Sequence, residues 1–483
     1  MKILLMNVPR EGEVTEFSTP EYLSDSFFRY PPLGLLAIAA EVDPRHEIKI
    51  LDTEIKNLSL DETIQEIVNF QPDVLGVSIV SRRLYPAYEV CRRAKERLPN
   101  VKIIVGGPHI NYFPDDGLKT GNVDFSIGGY AEKSFPQFIE ALESGSRADL
   151  RAVPSLYYRE DGKICSNPAA QVPVVIDDLP FPKRELLNLN DYFTACDKTR
   201  MTTMYTSRGC PYKCTFCDVQ EKTYRYRSTK RIVDEFEYIQ SLGINEIHIF
   251  DDTFNLGQER VVDMCNEILR RGLKVNWSAR VRAHPFDREL LSLMKKSGCT
   301  RLQCGVESLN PVSLLNMRKK ITLDHIRSFF ALCNEFEIET LGYFILGFPE
   351  EDAAYRKGFF KEVMSLKPTY IQLTTLYPLP LTQLYNDLLK RGVYQTDHWA
   401  DFFTNPTRDF NIPTFRDQNL HDELLSLMDR TYRKFYLSPR FIFRELGRKA
   451  SVQMLVLKAG LALKLMFADS KKLTSGHAQV QTA

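Results

Sequence analysis

The sequence predicts an α/β protein with two parallel-sheet units. A Rossmann-like, flavodoxin-like domain comes first, then a partial (β/α)6 barrel of TIM type, then a helical C-terminal tail. Three observations predict this. Short apolar runs alternate with amphipathic stretches through residues 1–145. The same rhythm returns after residue 246, with polar residues where the apolar runs end. Residues 431–483 break the rhythm and hold ten Lys or Arg against two acids. With 483 residues the chain is too long for one core.

In order, Lys2–Val8 suits a buried strand, Leu33–Val42 a helix, Glu47–Asp52 an alternating strand and Leu60–Asn69 an amphipathic helix. Val74–Val80 is a β-branched strand, Tyr85–Arg97 a helix, Val101–Val105 and Asp124–Ile127 strands, and Lys133–Leu142 the closing helix. This alternation means a parallel, doubly wound sheet, which binds ligands at the carboxyl ends of its strands. The turns there are Ser78-Ile79-Val80-Ser81, Gly106-Gly107-Pro108-His109 and Gly128-Gly129. Paired glycines let a flat ligand or a phosphate come close to the backbone. The first turn has no GxGxxG, which disfavours a dinucleotide. Residues 146–195, with Pro154, Pro168, Pro173, Pro180 and Pro182, read as a linker with a small hairpin at Asp161-Gly162.

The second rhythm places strands at Ile247–Phe250, Val275–Arg280, Arg301–Val306, Leu341–Leu346 and Tyr370–Leu376, with helices such as Gln258–Arg271 and Leu323–Phe336 between them. The strands end in Asp251-Asp252-Thr253-Phe254, Gly305-Val306-Glu307-Ser308 and Gly347-Phe348-Pro349-Glu350. Barrel sites form at such ends, so these polar residues are expected to share one mouth.

Composition excludes several classes. Lys plus Arg (63) balances Asp plus Glu (62), so no overall field favours nucleic acid. No uncharged apolar run is long enough for a spanning helix. Met1–Asn7 turns polar too soon for a secretory leader, which predicts a cytoplasmic protein. Ten cysteines stand at 91, 165, 196, 210, 214, 217, 265, 299, 304 and 333. Seven are scattered as buried reduced thiols usually are. The other three, in Cys210-Pro-Tyr-Lys-Cys214-Thr-Phe-Cys217, crowd one short loop and point to a metal site in a reducing compartment. Three thiolates on one loop can hold three irons of a 4Fe–4S cluster and leave the fourth iron free to chelate a small molecule. A structural zinc site would want a fourth Cys or His nearby, and none has the spacing.

The Cys-x3-Cys-x2-Cys triad resembles the signature of radical SAM enzymes, and the likeness extends across almost all of 200–390. Residues 1–145 resemble the cobalamin-binding domain of the cobalamin-dependent members, through Pro31-Pro32-Leu33-Gly34, Ser78 to Val80, and Gly106-Gly107. The resemblance implies three cofactors: a 4Fe–4S cluster, S-adenosylmethionine (SAM) and cobalamin. It implies the following domains: 1–145 binding cobalamin, 146–195 a linker, 196–425 the radical SAM barrel, and 426–483 a basic and apolar helical region. It also implies roles. Cys210, Cys214 and Cys217 bind the cluster. Phe216 packs near the adenine and Gly347 to Glu350 supports it. Glu307 reaches the ribose or amino group of SAM, and Arg280 and Arg282 meet its carboxylate. Asp251 and Asp252 lie toward the substrate and, with Arg282, are the catalytic candidates. Ser78, Gly106 and Gly107 receive the nucleotide tail of cobalamin.

Two departures matter. Pro9-Arg10-Glu11-Gly12-Glu13 does not supply the Asp-x-His-x-x-Gly of cobalamin mutases, which predicts cobalt with no protein imidazole below it. A Gly-Glu-Gly-Glu segment of the family is replaced by Gly128-Gly129-Tyr130-Ala131-Glu132. The implied activity is methylation of an unactivated carbon: SAM yields a 5′-deoxyadenosyl radical, and methylcobalamin supplies the methyl group. The alternatives are a cyclase, oxidase or C–C coupling enzyme of lipid or tetrapyrrole metabolism, like the anaerobic porphyrin ring cyclase, and a cobalamin or redox sensor. A methylthiotransferase would carry a second cysteine triad, where 1–145 holds only Cys91. Expected partners are a small-molecule or lipid substrate and an electron donor such as flavodoxin or ferredoxin.

In the tail, Arg440, Arg444 and Arg448 recur every four residues beside Phe441, Ile442, Phe443 and Leu446. The apolar run Val452–Phe467 is broken by Lys458 and Lys464. Such charges oppose a bilayer span but suit a helix lying on an anionic membrane surface, so 439–467 is expected either to make peripheral contact at the inner face or to pack on the barrel.

Overall fold

The computed structural model describes residues 1–14, 30–170, 174–193, 199–219, 221–447 and 460. They form two compact units. The first is built on 1–14, 30–192 and 397–412, and the second on the remainder.

The first unit is a seven-stranded sheet in the order β2-β1-β3-β4-β5-β6-β7. Its parallel strands are β1 (Lys2–Asn7), β2 (Glu47–Leu51), β3 (Val74–Ser78), β4 (Lys102–Gly106) and β5 (Phe125–Ile127). The order 2-1-3-4-5 is that of flavodoxin-like sheets, whose crevice opens where strand order reverses, between β1 and β3. The helices Leu33–Glu41, Leu60–Phe70, Leu84–Arg97 and Ser134–Ser144 connect the strands. Ile3, Leu5, Leu36, Ala39, Val74 and Phe138 lie in the core on one side of the sheet.

The chain divides differently from the expected spans. β6 (Leu156–Glu160) and β7 (Lys163–Ser166) form the hairpin and add antiparallel to β5, so the sheet runs past residue 145. Asp161 and Gly162 both take positive φ (48° and 76°), as a tight hairpin turn requires. Leu156 and Tyr158 alternate into the core, and this burial ties the segment down. Residues 397–412 also return to this unit through an aromatic knot. Trp399 and Phe402 are buried, and the ring of Phe403 lies 4.5 Å from Phe113 and 4.9 Å from His109.

The second unit is a six-stranded parallel sheet. Its strands are β8 (Met201–Met204), β11 (Glu246–Ile249), β12 (Asn276–Val281), β13 (Cys299–Glu307), β14 (Glu339–Leu346) and β15 (Tyr370–Thr375), in sequential order. A two-stranded ribbon, β9 (Ser207–Arg208) with β10 (Arg225–Tyr226), follows β8. Trp277, Leu302 and Phe344 face the covering helices, with Trp277 against Phe254 (5.6 Å) and Phe344 against Phe359 (6.0 Å). The alternate positions are polar and bond across strands: Ser278 with His248 (2.9 Å), Tyr343 to Gln303 (2.7 Å), and Arg301 to Glu339 (2.6 Å). Because the helices cover the apolar face, this polar face is the barrel interior.

The helix Gln418–Tyr436 lies along β15, which has no strand partner on that side. The Tyr432 hydroxyl accepts from the Leu373 N–H (2.7 Å) and donates to its carbonyl (3.2 Å); Tyr436 does the same at Ile371 (3.2 and 2.7 Å). The next helix, Pro439–Leu446, turns its arginines inward. Arg444 donates to the Thr369 carbonyl (2.6 Å) and Arg440 to that of Lys367 (3.3 Å). Carbonyls at the start of an edge strand need donors, and the arginines supply them. The arginine stripe is therefore engaged at these two positions, while Ile442 and Phe443 are 42% and 73% exposed. Arg448 and Val452–Phe467 lie outside the described residues, as does Cys196. Among the described residues, no helix is long and apolar enough to cross a membrane.

Candidate functional sites

In the second unit the three-cysteine loop leaves β9 and is held from four directions. The Gly209 N–H donates to Asp252 (3.1 Å), and the Cys210 N–H to the Glu221 carbonyl (2.9 Å). The Thr215 N–H donates to the Met317 carbonyl (3.1 Å), and the Thr215 carbonyl accepts the Leu384 N–H (2.9 Å). Gly209 takes φ +83°, and a Cβ there would strike the Thr223 carbonyl, so only glycine makes this entry. The Cys217 N–H turns back onto the Cys214 carbonyl (3.2 Å). All three thiols are half-exposed and free, and Cys210 Sγ touches Thr253 Oγ1 (3.3 Å).

Among the described residues, no three His, Cys, Asp or Glu side chains converge on a point where one metal ion would sit. A 4Fe–4S cube asks for something else. Each thiolate takes a different corner, so three ligands stand apart around a cluster-sized space. Three free, partly exposed thiols on one anchored loop supply the ligands in that number. By contrast, Cys91, Cys265 and Cys304 are buried in the core, as structural thiols are.

Residues from the ends of β11, β12, β13 and β14, and Lys319 after the helix Pro311–Asn316, surround the loop. Glu307 ends β13 with φ +64°, an uncommon value for a non-glycine residue and a form of strain that clusters at functional sites. Its carboxylate accepts from Lys319 Nζ (2.5 Å), and both side chains are buried. Lys319 also lies 6.0 Å above the Phe216 ring, and Phe216 meets Phe348 edge-on at 6.2 Å. Arg282 stacks on Tyr212 of the loop at 3.7 Å. Its Nη2 is buried with no hydrogen-bond partner, an exposed need for an anion. Arg280 lies over the Phe250 ring (3.9 Å).

The two aspartates separate. Asp252 opens to solvent, and the desolvating walls around it push its carboxyl above the usual value. Asp251 is fully buried. It accepts from the N–H groups of Thr206 (2.7 Å) and Ser207 (3.0 Å) and from both hydroxyls, with Arg260 3.7 Å away. All its lone pairs are used in fixing the backbone that enters the loop. The geometry makes it a positioning residue and moves it out of the expected catalytic group.

The Gly347–Glu350 turn is held in the same manner. The Gly347 N–H donates to Glu351 (2.7 Å), and its carbonyl accepts from Arg416 (2.9 Å). At φ +96°, a Cβ on Gly347 would lie 2.7 Å from Leu424. Burial raises the Glu351 carboxyl and lowers the Arg416 guanidinium to about 10. Glu350 accepts from Ser313 (3.0 Å) and Asn316 (2.6 Å) of the helix Pro311–Asn316, so this turn and the cysteine loop share one support. Sequence reasoning missed Lys319, Glu351 and Arg416. The run Met317-Arg318-Lys319-Lys320 was the one available signal for the first.

In the first unit, Ser78, Gly106 and Gly107 line one cleft of about 190 Å³, with Leu5, Gly76 and Phe135 at its apolar walls. It lies at the carboxyl ends of β1, β3 and β4, the switch point of the sheet. Gly107 has φ +95°, and a Cβ there would lie 2.7 Å from Ser78 Oγ and 2.8 Å from the Ile79 nitrogen. A bare backbone therefore forms the cleft wall, as a close-fitting nucleotide tail needs. Among the described residues, no histidine lines the cleft. His109, next to this turn, is buried, bonded to Ser81 (3.0 Å) and 3.5 Å from Asp116.

Each unit also resembles a known family. Residues 22–139 match the B12 binding domain family model, and residues 204–363 match the Radical SAM superfamily model. An uncharacterized methyltransferase of Pyrococcus horikoshii is 29% identical over 452 residues, covering 92% of this chain and 95% of its own. An anaerobic magnesium-protoporphyrin IX monomethyl ester cyclase of Rubrivivax gelatinosus is 24% identical, covering 82% and 71%. Among solved structures, the radical S-adenosylmethionine methyltransferase TsrM of Kitasatospora setae, with cobalamin and a 4Fe–4S cluster bound, superposes with a TM-score of 0.63. It is 18% identical and covers 81% of this chain and 75% of its own.

Proposed function

The chain belongs to the cobalamin-dependent radical SAM enzymes, and we propose that it is a C-methyltransferase acting on an unactivated carbon of a small molecule. The observation that carries this is one chain holding both devices: three free thiols at a barrel mouth in one unit and a glycine-walled cleft at the switch point of the other. Likeness to a methyltransferase over nearly the full length of both chains favours methyl transfer over ring closure.

Cys210, Cys214 and Cys217 would hold three irons of the cluster. Glu307 and Lys319 together offer a carboxylate and an ammonium, the complement of the amino and carboxylate groups of SAM. Phe216, Phe348 and the backbone of Gly347 to Glu350 would hold the adenine side. Arg282, with its free Nη2, would take a carboxylate. Asp252, with a raised pKa, stands where it can hold a proton at the open side of the loop. Ser78, Gly106 and Gly107 would line the path of the cobalamin tail. When bound, these groups supply an electron, a 5′-deoxyadenosyl radical and a transferable methyl group. The chain's part is to fix them and to exclude water.

The test is anaerobic reconstitution with cluster and methylcobalamin, then incubation with methyl-labelled SAM and cell lipid and tetrapyrrole extracts. Label in a product, with both 5′-deoxyadenosine and S-adenosylhomocysteine, is expected. Deoxyadenosine alone means a cyclase or oxidase. Neither coproduct means binding without catalysis and ends the enzyme reading.

A peripheral role at the inner membrane face in a reducing cytoplasm is supported by the exposed Ile442 and Phe443 beside the basic tail. Co-sedimentation with anionic liposomes, lost on truncation near residue 436, would test it.

A further inference from the structure

The turns after β3 and β4 line the cleft, and they stay joined past the ends of the strands. The Ile79 N–H donates to the Gly106 carbonyl (2.8 Å), and the His109 N–H donates to the Ile79 carbonyl (2.9 Å). The last link is between side chains: Ser81 Oγ lies 3.0 Å from His109 Nδ1. The two turns are in close contact, since a Cβ on Gly107 would lie 2.7 Å from Ser78 Oγ and 2.8 Å from the Ile79 nitrogen. A shift of one turn against the other therefore moves the cleft wall at Ser78, Gly106 and Gly107.

His109 is held so that it can keep that link. Its ring is fully buried, with Phe113 at 5.2 Å and Phe403, from the returning segment 397–412, at 4.9 Å. Its other nitrogen, Nε2, stands at ion-pair distance from Asp116 Oδ2, 3.5 Å. Burial opposes a charge on Asp116, but His109 and Lys119 (2.8 Å) outweigh it and hold the carboxyl below its ordinary value. An ionised Asp116 favours the proton on Nε2, which leaves the Nδ1 lone pair to accept the Ser81 hydroxyl. We propose that His109 is a positioning residue of the cobalamin cleft: through Nδ1 it latches the β3 turn to the β4 turn, and Asp116 keeps the ring in the tautomer that can do so. This rests on the cleft assignment above. A cleft already held at one width loses less on ordering when its ligand enters. A histidine that only filled space would need neither Ser81 nor a particular nitrogen.

The test uses the full chain with Ser81→Ala, His109→Asn, His109→Gln, and Ser81→Ala combined with His109→Gln. Asn places its amide where Nδ1 stands and keeps the Ser81 bond. Gln places its amide where Nε2 stands and keeps Asp116. Both lose the ring and its contacts with Phe113 and Phe403, so a merely structural role would lower cobalamin affinity in the two alike. Hydroxocobalamin is titrated by absorbance, with melting temperature and reconstituted iron content as readouts of the fold. Ser81→Ala and His109→Gln should each weaken hydroxocobalamin binding about tenfold, and the double variant should be little worse than either. His109→Asn should stay within about threefold of the wild type. Iron content should match the wild type throughout. The proposal is overturned if Ser81→Ala binds hydroxocobalamin as the wild type does, or if its iron content falls in parallel with its affinity. It is also overturned if the Asn and Gln variants lose affinity equally. Ser81→Ala removes one hydroxyl from a half-buried residue, so it decides the matter even where a ring replacement does not fold. A wild type that does not bind hydroxocobalamin defeats the cleft assignment itself.

Discussion

Glu307 and Lys319 are the pair whose chemistry is least expected from their positions. A buried ion pair that loses one partner leaves a charge stranded, at a cost of about 3–5 kcal/mol. Lys319→Met alone should therefore destabilise the chain by about that much in chemical denaturation, and adding Glu307→Gln should recover most of it. A merely structural pair would be dispensable in the rescued double variant. A SAM-binding pair would not be, and SAM affinity there should be down about tenfold or more. Unchanged affinity would assign the pair to stability alone. A second pair gives a pH signature. His284 and His325 stack at 4.0 Å, 9° from parallel. Lost hydration, and then the charge on His325, hold His284 below its ordinary 6.5. Between that lowered value and 6.5 the unfolded chain binds more protons than the folded one. Stability is thus intact above about pH 6.5 and declines as pH falls through the window. His325→Gln keeps the Thr322 capping box, since Gln serves at that position, and removes the partner. Its melting temperature should match wild type at pH 7 and fall less on going to pH 5; parallel curves would refute the coupling.

The helix Gln418–Tyr436 answers a problem common to every open barrel. β15 has a bare edge, and bare edges leave backbone groups unpaired and invite aggregation. Tyr432 and Tyr436, one turn apart, each satisfy both backbone groups of one β15 residue, so two phenols stand in for a seventh strand. Tyr432→Phe keeps the ring and strands the Leu373 N–H and carbonyl, and should cost about 1–3 kcal/mol; an unchanged denaturation midpoint would show water reaching the edge. This device was not legible in the sequence, because nothing local marks a tyrosine as a strand substitute. The strands themselves were legible, since each carries its own apolar period. So was the loop that carries Cys210, Cys214 and Cys217, because its spacing is local. Lys319 was hidden because its partner lies across a strand end. Asp251 misled because a carboxylate consumed by backbone amides reads the same as a free one. The hairpin at Asp161-Gly162 was read from its turn, but its docking on β5 and the return of 397–412 depend on tertiary contacts that no local pattern records.

Among the described residues, the groups proposed for the two cofactors fall in separate units. The cysteine loop draws its supports from Asp252, Glu221, Met317 and Leu384, all in the second unit. The described residues that wall the cleft, from Leu5 to Phe135, all belong to the first. Loading should therefore be separable although turnover needs both. The Cys210, Cys214, Cys217→Ala variant should lose iron and form no 5′-deoxyadenosine, yet bind cobalamin as the wild type does. Gly107→Val should do the reverse. Its side chain must enter space held by Ser78 and the Ile79 backbone at a φ that L residues resist, so cobalamin binding should fail while iron content stays at about four per chain. Because the sequence lacks Asp-x-His-x-x-Gly and no histidine among the described residues lines the cleft, electron paramagnetic resonance of the cob(II)alamin form should show no nitrogen superhyperfine splitting in either the wild type or the cysteine variant. Loss of cobalamin from the cysteine variant would mean that the second unit helps hold it. A clear axial nitrogen signal would mean that His109, or a histidine beyond the cleft, reaches the cobalt.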